Sequence, residues 1–213
     1  MRGIRPTSKR TIGRLSLYRR LLKELQMSGT PNVYSHQLAN IAGVTAAQVR
    51  RDFMVIGYSG SPTRGYDIQE LTESIANFLD APEGQAVALV GIGNLGRAIL
   101  TYFGGRRPKL SIVAAFDKDP SKVNRVIHGC LSYPIEELAA VAAEKKIQAG
   151  IITVPASEAQ AVTDQLVRAG VRGILNFAPA PLRAPADTYV EDIDMAVSLE
   201  KVAYFARQSG PRE

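Results

Sequence analysis

The feature that most constrains the fold is a glycine-rich segment near the middle of the chain, VALVGIGNLGRAIL, which covers residues 87–100. The apolar residues before the glycines predict a short buried strand over 86–90, and those after them predict a helix that ends near Phe103. In this order, Gly91, Gly93 and Gly96 allow a tight turn, close approach of a pyrophosphate to the backbone, and close packing of the helix on the strand. The segment therefore predicts a turn that binds a dinucleotide.

A second predicted strand, over 110–116, ends at Asp117, which lies 21 residues after Gly96. This spacing is typical of an acidic side chain that binds the ribose hydroxyls of a dinucleotide. The carboxylate would repel a 2′-phosphate, so the pattern favours NAD or NADH over the phosphorylated cofactors. The predicted cofactor site comprises Gly91, Ile92, Gly93, Asn94, Leu95, Gly96, Asp117, Lys118, Thr153, Val154, Pro155, Asn176, Phe177 and Ala178.

Strands and helices continue to alternate after this unit. The pattern predicts a helix over 135–146, a strand over 149–154, a helix over 158–169 and a strand over 173–175. Such alternation predicts a parallel, doubly wound sheet with helices on both faces, which is the Rossmann fold. Ligands of these folds lie beyond the carboxyl ends of the strands, so residues 153–155 and 176–179 are expected on the nicotinamide side. Alternatively, Pro155 and Pro179 only end their strands.

Positive charge is concentrated in the first third of the chain. Residues 1–66 contain 11 Lys and Arg against 2 Asp and Glu, a net charge of +9, whereas the remainder carries −3. A concentrated basic segment favours a polyanionic partner, because neutralising phosphates releases counterions. A solvated basic face is the alternative explanation.

The residues in this basic third fit a helix-turn-helix. A predicted helix over 11–27 is followed by SHQLANIAGVTAAQVRRDF at 35–53, in which Ala39, Gly43 and Val49 have the spacing of two closely crossing helices joined by a tight turn. Ser35 and Thr45 are the predicted N-caps. An ordinary helical hairpin would need no arginines, whereas here two of them, at 50 and 51, lie on the second helix.

A turn-rich segment, YSGSPTRGYDI at 58–68, predicts a β wing that brings Arg64 and Tyr66 to a phosphate or a minor groove. A plain linker is the alternative. The predicted DNA contacts are Ser35, Thr45, Ala46, Gln48, Arg50, Arg51, Arg64 and Tyr66. Together with the amphipathic helix predicted over 67–80, these elements define a winged-helix DNA-binding domain at 1–80, followed by the nucleotide-binding domain at 85–186.

The last predicted segment, 187–213, holds a short extended piece and then a helix with a mostly apolar stripe. This stripe packs either on its own domain or on a partner subunit. A symmetric homodimer would suit a protein that reads two half-sites of a palindromic duplex.

Taken in order, these motifs resemble the Rex family of redox-sensing transcriptional repressors over almost the full chain. The segments that carry the resemblance are RLSLYRRLL, VTAAQVRRDF, RGY, LVGIGNLG, FD, TVP, GILNFAP and VEDID. The resemblance implies a homodimer with a winged helix-turn-helix domain, a Rossmann domain and a C-terminal helix swapped between subunits. It implies that NADH releases the operator, that NAD⁺ favours the DNA-bound form, and that Arg20, Tyr102 and Asp194 couple the two functions.

Three other interpretations compete with this one. An NAD-dependent dehydrogenase with an accessory N-terminal domain would need a proton-transferring group beside the substrate. His36 lies in the helix-turn-helix, His128 is better explained as a surface or core residue, and no substrate domain is predicted, so no catalytic residue is expected. Binding of another nucleotide, such as CoA, is mildly disfavoured by Asp117. A redox role for Cys130 competes with that of a small buried hydrophobe.

The single cysteine disfavours a multi-cysteine metal site, and no apolar run reaches the ~20 residues of a membrane helix. We therefore expect a cytoplasmic protein without a metal.

Overall fold

The computed structural model describes residues 7–104 and 109–208. Within them the chain divides between Pro82 and Glu83 into two compact units. Residues 1–6 and 209–213, which belong to the first and last predicted segments, lie outside the described part.

The first unit is a small helical unit with a two-stranded antiparallel sheet. Its elements are α1 (Lys9–Met27), β1 (Asn32–Val33), α2 (Ser35–Ala42), α3 (Ala46–Val55), β2 (Tyr66–Asp67) and α4 (Ile68–Leu79). Strands β1 and β2 pair Val33 with Tyr66, and α2 and α3 form the two helices of the predicted helix-turn-helix. The winged helix-turn-helix fold predicted from the sequence is confirmed.

The turn between α2 and α3 has the geometry that its residue types predict. Ala39 and Val49 are buried, so a small and a β-branched side chain occupy the region where the two helices pack. Gly43 ends α2 with a φ of 66°, a left-handed conformation that favours glycine. The core beneath them comes from α1 and α3, where Leu15, Tyr18 and Phe53 have no exposed surface.

The second unit contains a seven-stranded sheet with helices around it. Its elements are β3 (Gln85–Val90), α5 (Asn94–Phe103), β4 (Leu110–Asp117), β5 (Val126–Ile127), β6 (Cys130–Pro134), α6 (Leu138–Glu144), β7 (Ile147–Ile152), α7 (Ala156–Arg168), β8 (Gly173–Asn176), β9 (Tyr189–Asp192) and α8 (Met195–Gln208). The strand order is β5-β6-β4-β3-β7-β8-β9, and all neighbours are parallel except β5 and β6.

This order identifies the doubly wound Rossmann fold predicted from the sequence. The chain moves from β3 through β4 to β6 on one side, and then returns to place β7, β8 and β9 on the other. The direction of winding therefore reverses beside β3. Crevices at such a reversal, outside the carboxyl ends of the strands, are where these folds bind ligands. The glycine-rich turn follows β3 and lies at this crevice.

Two local differences separate the structure from the sequence prediction. The helix predicted over 135–146 is a 3₁₀ turn, Ile135–Glu137, followed by the shorter α6. Pro134 lies before this turn, and Lys146 after α6 has a φ of 51°, so the helix does not extend to that residue. The sequence also did not delimit β6, a short strand without a clean alternation of apolar and polar residues.

Candidate cofactor and DNA-binding sites

The glycine-rich turn begins at Gly91, where only glycine fits. Its φ is 102°, and a Cβ atom there would lie 2.7 Å from the carbonyl oxygen of Thr153. The Gly91 N–H donates to the carbonyl of Phe116 at 2.8 Å, and the Thr153 hydroxyl donates to the Gly91 carbonyl at 2.7 Å. The turn is therefore held against the ends of both neighbouring strands, β4 and β7.

The start of α5 lies close to this turn. A Cβ atom at Gly96 would be 2.0 Å from the Gly91 carbonyl oxygen, so no larger residue permits this packing. Gly93 is the N-cap, and no side chain accepts a hydrogen bond from the first turn of the helix. Helix N-termini carry unsatisfied N–H groups and a partial positive charge, so they bind anions such as a pyrophosphate. A Cβ atom at Gly93 would have no atom within 4 Å, which leaves room beside the turn for this ligand.

Asp117 lies at the end of β4, where its carboxylate faces the turn. Only 8% of the residue is exposed. One carboxylate oxygen accepts the Ile92 N–H at 2.7 Å, and the other accepts the Asp119 N–H at 2.9 Å. The Lys122 ammonium lies 3.4 Å from the first oxygen. The structure thus brings Asp117 to the turn as the ribose assignment requires.

Other predicted residues around the turn contribute in different ways. Ile92 is fully buried, so it offers a ligand only its backbone. Asn94 is exposed at the start of α5, while Leu95 packs on the core. The exposed Lys118 ammonium bonds the Glu158 carboxylate at 2.6 Å, and this pair links the loop after β4 to the start of α7.

The predicted cofactor residues at the ends of β7 and β8 differ in burial and in hydrogen bonding. Asn176 is 1% exposed, and its amide bonds the Ala180 carbonyl, the Asp192 carboxylate and the Ala178 N–H. These hydrogen bonds hold the loop after β8, and a contact between Asn176 and the cofactor stays a prediction. Ala178 is buried and Pro155 is exposed, while Thr153, Val154 and Phe177 are half-buried.

On the first unit, the caps of the two crossing helices differ from each other. Thr45 is the N-cap of α3 as predicted, and its hydroxyl accepts the Gln48 N–H at 3.2 Å. The prediction for Ser35 is wrong: the N-cap of α2 is Tyr34, whose N–H donates to the Gln37 side chain at 2.8 Å. The helix therefore begins at Ser35, one residue earlier than an N-cap at Ser35 would give. Ser35 instead accepts a hydrogen bond from Arg50 at 3.1 Å.

The wing is a tight turn, and of the two residues predicted to contact DNA there, Arg64 is exposed and Tyr66 is buried. The backbones of Ser61 and Gly65 bond each other twice, at 2.7 and 2.8 Å, and Arg64 is exposed on this turn. Tyr66 is only 9% exposed, and its ring meets that of Phe53 edge-to-face at 4.9 Å. The prediction that Tyr66 contacts DNA is therefore corrected, because the pairing of β2 with β1 places the ring in the core.

Sequence reasoning missed Asp52, a carboxylate on α3 that is 1% exposed. Arg14 of α1 donates two hydrogen bonds to it, at 2.6 and 2.7 Å, and the Tyr18 hydroxyl donates a third at 3.0 Å. Burial acts to raise the pKa of Asp52, but hydrogen bonds from Arg14, Gln48 and Tyr18 outweigh it, so the pKa lies below its usual value. The available signal was an acidic residue between the inward-facing Val49 and Phe53 in a strongly basic segment.

Two family models match parts of the chain. One, described as a CoA binding domain, matches residues 83–180, and another, described as "Putative DNA-binding protein N-terminus", matches residues 7–53. A redox-sensing transcriptional repressor Rex of Anoxybacillus flavithermus is 42% identical over 203 residues, which cover 94% of each chain. The chain belongs to the Rex family of redox-sensing transcriptional repressors.

Solved structures of the Rex family agree with this assignment. One of them is the Rex-family repressor RSP in complex with β-NAD⁺ and operator DNA, which is 31% identical in sequence to this chain. The match covers 96% of this chain and 94% of the RSP chain, with a TM-score of 0.87. RSP in complex with β-NADH is also 31% identical in sequence; the match covers 96% of each chain and has a TM-score of 0.84. The first family model names CoA, whereas these solved relatives hold NAD⁺ and NADH.

The residues that the Rex resemblance links to switching lie on, or just before, three helices. Arg20 is exposed on α1, and Tyr102 is exposed on α5. Asp194 precedes α8, and its carboxylate accepts the Val197 N–H at 2.9 Å, as an N-cap does. Their shared role stays a prediction.

The structure also bears on the alternatives to a Rex repressor. His36 stacks on Tyr34 with ring centroids 5.6 Å apart, and His128 lies in the turn between β5 and β6. Burial raises the pKa of the Cys130 thiol to about 11, which disfavours the reactive thiolate.

Among the residues described, no three His, Cys, Asp or Glu side chains lie where they could share a metal ion. None of the helices within 7–104 and 109–208 combines the length and apolar composition of a membrane crossing.

Proposed function

We propose that this chain is a DNA-binding transcriptional repressor that senses the NADH/NAD⁺ ratio in the cytoplasm and releases its palindromic operator when NADH binds. The observation that carries the proposal is the combination of a basic helix-turn-helix and a dinucleotide turn in one chain. The named Rex relatives and the RSP complexes with operator DNA and with NADH support it.

The cofactor acts here as a signal. The N–H groups at the start of α5 would hold the pyrophosphate, and Asp117 would accept hydrogen bonds from a ribose. NADH changes DNA affinity only if it binds the DNA-competent and the released arrangements with different affinities. Arg20, Tyr102 and Asp194 are the proposed residues through which this difference reaches the DNA-binding unit. Changing Arg20 to Ala should then leave DNA binding in place but abolish its response to NADH.

The proposed active form is a homodimer that exchanges α8 between subunits. No residue of this helix is buried, and large apolar side chains such as Leu199 and Val202 are 68% and 64% exposed. Burying such a face contributes about 25 cal/mol for each Å² of apolar surface removed from water, and the entropic cost of association opposes it. Leu199→Asp with Val202→Asp should shift the chain to a monomer in sedimentation experiments, with Glu200→Lys as a control on the same helix. A variant that remains dimeric would contradict the exchange.

DNA binding with each nucleotide tests the proposal directly. The chain would be titrated into duplexes in a band shift at fixed salt, because salt alone changes affinity for DNA. NADH should weaken binding more than NAD⁺ does, and Arg51→Ala should weaken DNA binding while NADH binding is retained. If neither nucleotide changes the affinity of the chain for DNA, the chain is not the proposed sensor.

A further inference from the structure

On the basis of the proposed function, we propose that Asp52 and Gln48 are positioning residues that hold Arg51 for the reading of one base pair. A continuous set of hydrogen bonds joins the three side chains. It starts in the core of the first unit and ends on the exposed face of α3.

The inner end of this set is fixed by the scaffold. Arg14 bonds both oxygens of the Asp52 carboxylate, in the two-pronged geometry that gives Arg–carboxylate pairs their directionality. Arg14 lies on α1, whereas Asp52 lies on α3, so the pair ties one helix to the other. The Tyr18 hydroxyl from α1 supplies a further bond. The carboxylate therefore cannot turn without disrupting contacts between helices.

The middle of the set is a glutamine whose amide can be oriented in one way only. The Gln48 Nε2 lies 2.9 Å from an Asp52 oxygen, and its Oε1 lies 2.9 Å from the Arg51 Nη2. A carboxylate only accepts hydrogen bonds and a guanidinium only donates them. The N–H side of the amide must therefore face inward to Asp52 and the oxygen outward to Arg51.

The outer end is a side chain that is otherwise free to move. Arg51 is exposed, and a long exposed side chain loses rotamer freedom when it binds. A bond to an oriented amide restricts the guanidinium before DNA arrives. A guanidinium reads guanine through its O6 and N7 atoms, so we assign Arg51 to a guanine in the major groove. Arg50 bonds Ser35 and lies outside this set.

The assignment differs from the simplest interpretation of Gln48 as an independent base reader. An amide that reads its own base would specify a second base pair, and its loss would add to the loss of Arg51. An amide that only orients Arg51 specifies no base of its own. The two cases therefore differ in which base pair loses discrimination.

The experiment uses the full chain and a pool of randomised palindromic duplexes. Wild type would first be used to select a preferred duplex, and every base pair of one half-site would then be changed in turn. Gln48→Leu and Arg51→Ala should both reduce discrimination at the same G·C pair, by about tenfold. The double variant should lose no more than Arg51→Ala alone. Arg50→Ala is the control, and it should lower affinity for all duplexes by a similar factor.

Asp52→Asn extends the test to the inner end, where it should reduce discrimination at the same G·C pair. Because that variant also disturbs the core, the decision rests on Gln48→Leu, which leaves the Arg14–Asp52 pair in place. Loss of discrimination at a different base pair, or additive losses in the double variant, would overturn the inference while leaving the proposed function intact. A wild-type chain that selects no duplex would overturn the proposed function, and the inference with it.

Discussion

Asp52 in the first unit and Asp117 in the second are both buried carboxylates, 1% and 8% exposed, but different groups hold them. The donors to Asp52 are the side chains of Arg14, Tyr18 and Gln48. The closest donors to Asp117 are the N–H groups of Ile92 and Asp119. An ionised carboxylate has about four acceptor positions. Four short bonds occupy those of Asp52, whereas Asp117 retains capacity for ribose hydroxyls.

Burial alone therefore does not identify a ligand site. Asp52 is more deeply buried than Asp117, yet its role is to position other side chains. The second unit builds its candidate site largely from backbone groups, so its specificity depends on glycines. The first unit places its candidate DNA contacts through side chains that reach across helices. Four predictions test this contrast.

The largest effect is expected from Asp52→Ala. It leaves the Arg14 guanidinium, 21% exposed, without its anion, and breaking a buried pair from one side costs about 4 kcal/mol. Asp117→Ala should cost the second unit only about 1–2 kcal/mol, because it removes hydrogen bonds to backbone N–H groups. Hydrogen exchange of the amides in α3 and in β4 measures the unfolding free energy of each unit separately. Equal losses of stability in the two units would contradict the different roles assigned to Asp52 and Asp117.

Substitutions at two glycines, Gly96 and Gly93, should have different effects on the stability of the second unit and on NADH binding. Gly96→Ala places a methyl group against the Gly91 carbonyl, at a distance of 2.0 Å before any shift, and should destabilise the unit by about 3 kcal/mol. Gly93→Ala is the matched control, because its Cβ would meet nothing within 4 Å. It should keep the stability and weaken NADH binding, as calorimetric titration would show. Undiminished NADH affinity in Gly93→Ala would place the pyrophosphate elsewhere.

Asp117→Ala should weaken NADH binding about 30-fold, since hydrogen bonds to a charged group contribute about 2 kcal/mol. Asp119→Ala is the control: that side chain is 41% exposed, and its backbone N–H still supports Asp117. Titration by fluorescence of NADH measures both variants. If Asp117→Ala binds NADH as wild type does, Asp117 is not the ribose contact.

The features that the sequence predicted are those whose partners are close along the chain or follow a fixed spacing. The glycine-rich turn and the interval to Asp117 follow from the geometry of one strand–helix–strand unit. The helix-turn-helix follows from Ala39, Gly43 and Val49, which lie at a characteristic spacing within one short segment. In these cases, local residue types determine the structure.

The features that were missed depend on distant partners. Asp52 meets Arg14, which lies 38 residues away on another helix, and no pattern within α3 shows this pair. The inward direction of Tyr66 depends on the register of β2 against β1, a pairing too short to leave an alternating pattern. The hydrogen bond from the Asn176 amide to Asp192 on the neighbouring strand likewise joins two residues that no local pattern relates. Each requires knowledge of tertiary structure.

The smallest of the four effects is a pH dependence confined to the first unit. The pKa of Asp52 lies below its usual value in the folded chain, despite the opposing effect of burial, because of the hydrogen bonds from Arg14, Gln48 and Tyr18. Its contribution is therefore complete above the pKa of an unfolded Asp, about 4, and is lost as pH falls through the lower folded value. The difference in unfolding free energy between wild type and Asp52→Asn should shrink below about pH 4. Urea denaturation followed through the amide signals of α1 and α3 would measure it. Asp164→Asn, at an exposed position on α7, is the control, and a constant Asp52→Asn difference down to low pH would show that the Arg14 bond does not stabilise the ionised form.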